Sequence, residues 1–167
     1  MKGKILIIAV VLLVLGLLLH PPVSGGKFSS PWGIRPGGLD GWFHTGSDIA
    51  HAVGTQVTPV APGKISHVNN NPEDPRGLSV NISHLGFIQT RYYHLNSIDM
   101  AAGETVNHKS VIGTLGNTGL STGPHIHYEI RLLGIPLPAY LLTLPARIFQ
   151  QAAKGLKKSG GNSNPSF

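Results

Sequence analysis

The sequence predicts one mainly β domain, on three observations. Glycine (22) and proline (13) are abundant and charged residues are only 12% of the 167, a balance that favours short strands and tight turns over a helical bundle. Beyond Gly25 the apolar residues fall in short β-branched or aromatic runs with no helical periodicity between them. Turn signals such as Ala61-Pro62-Gly63 separate those runs. The length allows one domain with a proper core and short extensions.

The elements follow in chain order. MKGKILIIAVVLLVLGLLLH places Lys2 and Lys4 before an unbroken apolar run from Ile5 to Leu19, and such a run at the extreme end has a membrane purpose. It suits the central region of a signal peptide or, with its flanks, a short anchor helix. Pro21-Pro22 beside the small residues Val23-Ser24-Gly25 favours an uncleaved, single-pass anchor over residues 1–25. The two lysines keep the N-terminus cytoplasmic and send the rest across, to the periplasm or wall side; a virion membrane is the alternative location. Strands are predicted at Val57–Val68, Leu78–Ser83, Phe87–His94, Ser110–Leu115 and His125–Leu132. NNNPEDPRG, Asn69–Gly77, is a surface loop that could rim a groove, and Gly116–Gly123 is a turn leading into the last strand. A C-terminal extension over 134–158 carries an amphipathic helix, with Thr143 as cap and Pro145 in the first turn. Its apolar stripe is Ile148, Phe149, Ala152 and Leu156, and Arg147, Lys154, Lys157 and Lys158 make the other side basic. A membrane surface and the chain's own domain are both fitting supports for it. Residues 159–167, SGGNSNPSF, read as a disordered tail.

Charge and cysteine usage exclude more than they select. A net charge of +6 suits any polyanion, whether nucleic acid, wall or membrane. The absence of cysteine excludes thiol catalysis, disulfides, thiolate metal sites and an N-terminal lipidated cysteine.

The chemistry lies in three separated segments. In GPHIHYEI, His125 and His127 stand two apart in a strand, hence on one face and about 6 to 7 Å apart. A core strand face has no use for two imidazoles, because each must find hydrogen-bond partners that an Ile would not need. Upstream, WFHTGSDI supplies His44 and Asp48, and YYHL supplies His94. A catalytic zinc site takes three nitrogen or oxygen ligands and keeps a fourth position for water. Four histidines and an aspartate therefore provide a ligand set with two imidazoles left for proton handling; the count alone does not say which is which. Tyr92, two residues from His94, is expected to line the groove. Arg35 offers a planar fork for a carboxylate. Of the other histidines, His84 is expected to hold a structural hydrogen bond near the site, and His20, His51, His67 and His108 to be structural or exposed.

HTGSD, YYHL and GNTGLSTGPHIHYE closely resemble the signature segments of the lysostaphin/LytM-type zinc metallopeptidases, and SSPWGIR, Ser29–Arg35, resembles the start of that domain. The resemblance covers about Ser29–Arg131, with the motifs in the family's order. It implies an antiparallel β-sheet domain with a groove over residues 26–133. It further implies one Zn2+ per chain, held by His44, Asp48 and His127, with His125 and His94 acting on the water and the tetrahedral intermediate. The substrate so implied is peptide in bacterial peptidoglycan; no nucleic-acid partner is expected. Two turns depart from the family pattern, Asn107-His108-Lys109-Ser110 and the Leu85-Gly86 that follows His84, where a glycine pair is usual. The resulting expectation is a membrane-delivered peptidoglycan endopeptidase, acting alone or in a larger membrane-bound assembly such as a virion, secretion or conjugation machine. The alternative is a non-catalytic peptidoglycan-binding or hydrolase-regulating module of the same fold. Such members typically lack some metal ligands, whereas this chain keeps all five groups.

Overall fold

The computed structural model describes residues 19–38, 41–145 and 148. Twelve strands occur among them: β1 (Lys27–Ser30), β2 (Gly33–Gly38), β3 (Gly41–His44), β4 (Ser47–Ala50), β5 (Gln56–Val57), β6 (Gly63–Asn69), β7 (Leu78–His84), β8 (Ile88–Ile98), β9 (Thr105–Val106), β10 (Gly113–Leu115), β11 (His125–Leu132) and β12 (Ile135–Leu137). Ten form one antiparallel sheet with the order β1-β4-β11-β8-β7-β6-β9, to whose path β5, β10 and β12 attach, while β2 and β3 make a separate hairpin. The predicted run Val57–Val68 is divided by the Pro59 and Pro62 turn into β5 and β6. The four strands before residue 51 were illegible in the pattern, because each is short and β2 contains glycines and a proline.

Period-two alternation gives the sheet one apolar and one polar face. On β11, Ile126, Tyr128 and Ile130 are buried in the core, and His125, His127 and Glu129 point the other way. Ile49 of β4, opposite Ile126, joins the core, and Asp48, opposite His127, joins the polar face. Full burial of each such Ile, Val or Leu is worth about 1.5–3 kcal/mol; Val57, Val80, Ile82, Leu95, Ile112 and Leu115 complete the layer.

Beside the groove, alternation fails on β8. Between the pairs Val80–Tyr92 and Leu78–Leu95 the register slips, so β8 spends three steps where β7 spends two. This is a β-bulge, and His94 within it adopts φ 62°. The expectation that Tyr92 lines the groove is therefore overturned: Tyr92 is wholly buried, and its hydroxyl accepts a 2.9 Å hydrogen bond from the Val60 amide. Tyr93, opposite His127, faces the groove beside His94 instead.

The hairpin turns carry further strain. Leu85, in the β7–β8 turn, has φ 52°, and Leu133, in the β11–β12 turn, has φ 50°. A left-handed conformation costs a non-glycine residue about 1–2 kcal/mol, which Asn tolerates better. Leu85 is 83% exposed, so Leu85→Asn loses no packing. It is expected to stabilise the fold by about 1 kcal/mol, read as a rise in the urea midpoint.

The C-terminal helix occupies 139–145 among the described residues. It begins four residues before the predicted cap. Thr143 lies inside it, fully buried, bonding the carbonyls of Ala139 and Tyr140 and the hydroxyl of Tyr128. The predicted cap is thus a packing residue, and the chain enters the helix after Pro138, whose carbonyl accepts from Leu142. Tyr140 stacks on Phe28 at 3.8 Å. The start of the helix therefore packs on its own domain, and its basic continuation and the tail lie outside the described residues. At the other end Val23 is 1% exposed and Leu19 packs on the same core. No helix among the described residues is long and apolar enough to cross a membrane; the apolar run up to residue 18 also lies outside them.

Candidate metal centre

Four elements meet at the polar face. The end of β3 brings His44, β4 brings Asp48, β11 brings His125 and His127, and the β8 bulge brings His94. The structure thus gathers all five residues singled out in the sequence at one groove of about 470 Å³. Arg35, Pro75, Arg76 and Tyr93 also line it, so the Asn69–Gly77 loop does stand at its rim.

At the centre three atoms form a triangle. His44 Nε2 lies 3.0 Å from His127 Nδ1 and 3.2 Å from Asp48 Oδ1, which is 2.9 Å from His127 Nδ1. Ligands at about 2.0–2.1 Å around a tetrahedral zinc would stand a little over 3 Å apart. The three donors suit one cation, and all three residues are buried.

The outer hydrogen bonds set the tautomers. His44 Nδ1 donates to the Pro31 carbonyl at 2.6 Å, leaving the Nε2 lone pair turned inward. His127 Nε2 faces Glu129 Oε1 at 3.5 Å, leaving Nδ1 turned inward. Three acceptors so arranged repel one another unless they share a proton or a cation. Burial alone would lower the His127 imidazole, but its contacts with Asp48 and Glu129 outweigh that and push it up to about 9. Burial would likewise raise Asp48, yet its close contacts with His127 and His44, which share a proton with it, hold it well below the usual carboxylate range. A donor set that keeps a proton so tightly is one that a divalent cation can take over.

His94 and His125 are held differently. His94 Nδ1 donates to the Thr118 carbonyl at 2.8 Å, and burial holds this imidazole down at about 4. His125 Nδ1 donates to the Gly123 carbonyl at 2.8 Å, and its Nε2 stands 3.9 Å from Asp48 Oδ1. Their ring centres are 4.7 Å apart. Each turns its Nε2 to the groove beside the triangle. Arg35 bonds the Ser30 hydroxyl at 2.9 Å and stands 3.8 Å from Asp48. His84 does hold structural hydrogen bonds, to Pro62 and Thr90, but not near the site. It closes the far end of β7, opposite Ile88, six residues along β8 from His94.

Sequence reasoning missed Glu129, which is 1% exposed and bonds Thr45, Arg131 and His127. Strand alternation from His127 could have found it. It also missed Gly46. A Cβ there would lie 2.5 Å from His127 Nε2 and 2.6 Å from the Tyr128 carbonyl, a backbone atom that cannot swing away. Gly46→Ala is expected to push the His127 ring off Glu129 and to weaken metal binding by at least tenfold, measured by chelator competition.

Residues 42–138 match Peptidase family M23. The chain is 38% identical over 135 residues to the DD-carboxypeptidase/endopeptidase Mpg of Neisseria meningitidis serogroup B, covering 80% of this chain and 31% of that protein. It is also 38% identical over 102 residues to the peptidoglycan DD-endopeptidase ShyA of Vibrio cholerae, covering 61% of this chain and 23% of that one. The chain thus spans less than a third of the length of these curated relatives. Its structure resembles the catalytic domain of the antimicrobial peptidase lysostaphin from Staphylococcus simulans, with a TM-score of 0.63 and 25% identity over 75% of this chain and 92% of that domain. A match over most of the sheet, with the His-Asp-His triangle inside it, establishes that this chain belongs to the M23 metallopeptidases.

Proposed function

We propose that the chain is a zinc-dependent endopeptidase that hydrolyses peptide bonds in bacterial peptidoglycan and is delivered to the wall by its N-terminal segment. The observation that carries this is the His44-Asp48-His127 triangle with two further imidazoles open to the same groove. Family membership and the names of the relatives support the metal and the substrate class. His44, Asp48 and His127 would hold the ion. When bound, zinc supplies Lewis-acid polarisation of the scissile carbonyl and lowers the pKa of water. The chain's own part is proton handling and charge stabilisation. One of His94 and His125 takes the proton of the attacking water at Nε2, and the other donates a hydrogen bond to the carbonyl oxygen as its charge grows. The carbonyls of Thr118 and Gly123 hold each Nδ1–H, so both rings turn Nε2 to the groove; the ring that takes the proton uses its free lone pair there, and the ring that donates carries a second proton there. The non-catalytic alternative has nothing in its favour, since no ligand is missing.

Two observations support an uncleaved anchor. A cut after Gly25 would remove Val23 from the core, and it would break the bonds from the His20 amide to Val60 and from the Thr58 amide to Pro22. Docking within a larger membrane-bound assembly fits the anchor and the basic tail, and co-purification at fixed stoichiometry would reveal it. Incubating the zinc-loaded protein with peptidoglycan should release new free amines; no release would overturn the proposal.

A further inference from the structure

Two hairpin turns at one end of the sheet break the usual composition of such turns together. Exposed β-turns with positive φ favour Gly, Asn and Asp, yet Leu85 (83% exposed) and Leu133 (77%) occupy them. Phe87, Leu132 and Ile135 are exposed beside them. The two turns are neighbours, since the Leu133 amide bonds the Phe87 carbonyl at 2.9 Å and Leu132 pairs with Ile88. A contiguous apolar patch of this kind marks a contact surface.

The chain's own path indicates what covers it. His20 bonds Val60 at 2.8 Å and stacks on His108. Two residues on, the Pro62 carbonyl accepts from His84, the residue before Leu85. The described chain therefore begins, at Leu19, near the end that carries the patch. Leu19, the last residue of the apolar run Ile5–Leu19, itself packs on the core. Exposed Lys64, opposite Ser83, and Lys109, after β9, flank the same end. Apolar tips with cations to one side suit the interface of an anionic bilayer.

We propose that the Leu85 and Leu133 turns are seated in the lipid interface of the membrane that holds the N-terminal segment, a proposal that rests on the anchor reading. The domain is then gripped at two points. His127 stands five residues from Leu132 along β11, about 17 Å away. The groove is thereby held off the bilayer and turned towards the wall.

The chain has no cysteine, so single-cysteine labels report cleanly. Full-length Leu85→Cys, Leu133→Cys and, as a control at the groove end, Glu73→Cys would carry an environment-sensitive fluorophore. They would be reconstituted in phosphatidylglycerol/phosphatidylethanolamine vesicles containing shallow nitroxide lipids. Emission at 85 and 133 should shift to the blue and be quenched severalfold more than at 73. Vesicle flotation with all three labels equally unquenched would overturn the seating and leave the anchor standing. A blue shift without quenching would overturn it in favour of a protein cover, a second copy or the tail after residue 148. Failure to float would remove the anchor and the seating together. Peptidoglycan hydrolysis by the same samples reports separately on the enzymatic reading.

Discussion

His125→Ala is expected to keep near-stoichiometric zinc and a similar melting temperature, yet to lose turnover by about two to four orders of magnitude, the usual contribution of a positioned acid or base. The reason is geometric. His125 Nε2 stands 3.9 Å from Asp48 Oδ1, outside the triangle whose edges are 2.9–3.2 Å, so its removal leaves the donor set whole. His94→Ala should behave alike, as its ring touches the centre only through the His125 and His127 rings, at 4.7 and 6.3 Å. His127→Ala, in contrast, removes one corner of the triangle. Two protein ligands remain, and zinc occupancy should collapse, with a fall in melting temperature because the metal contributes to folding. His44→Ala and Asp48→Ala belong with it. Elemental analysis beside hydrolysis rates separates the two groups. A metal-free His125→Ala with a zinc-loaded His127→Ala would reverse the assignment, and normal zinc and cleavage in all five would move the site elsewhere.

What could be read before the structure, and what could not, follows from the range of the interactions. His125 and His127 share a face by strand geometry alone, and the motifs around His44, Asp48 and His94 mark them without coordinates. The exchange of Tyr92 for Tyr93 was hidden, because a bulge shifts every later side chain and depends on the opposing β7, about a dozen residues away in the chain. Thr143 looked like a cap from its neighbours, whereas its partner is the hydroxyl of Tyr128. Glu129 lay in plain view, two residues beyond His127, but a carboxylate on a strand acquires meaning only when Thr45 and Arg131 are seen to reach it. Gly46 is similar: the need for hydrogen in place of a methyl is set by the His127 ring, which is 81 positions along the chain.

Glu129→Gln should fold almost normally and bind zinc about 10- to 100-fold more weakly, the usual effect of losing the partner behind a ligating imidazole. Burial alone would raise the Glu129 carboxyl, but the hydrogen bonds from His127, Arg131 and Thr45 outweigh this and bring it down to about 2. Through the neutral range it is therefore an anion behind the ring. There it fixes the proton on His127 Nε2 and turns the Nδ1 lone pair towards His44 and Asp48. Glutamine keeps the shape and an acceptor oxygen but not the charge, so the ring can settle in either tautomer. Glu129→Ala goes further. It strips Arg131 of its main partner and should cost about 3 kcal/mol, the lower end of the range for breaking a buried pair, because Arg131 still reaches solvent. Chelator competition gives the zinc affinity and urea unfolding of the metal-free protein gives the stability. The two variants together separate the roles: if Glu129→Gln binds zinc like the parent while Glu129→Ala is merely unstable, the carboxylate only braces the sheet. If Glu129→Gln alone loosens the metal at unchanged stability, the carboxylate orients the ligand.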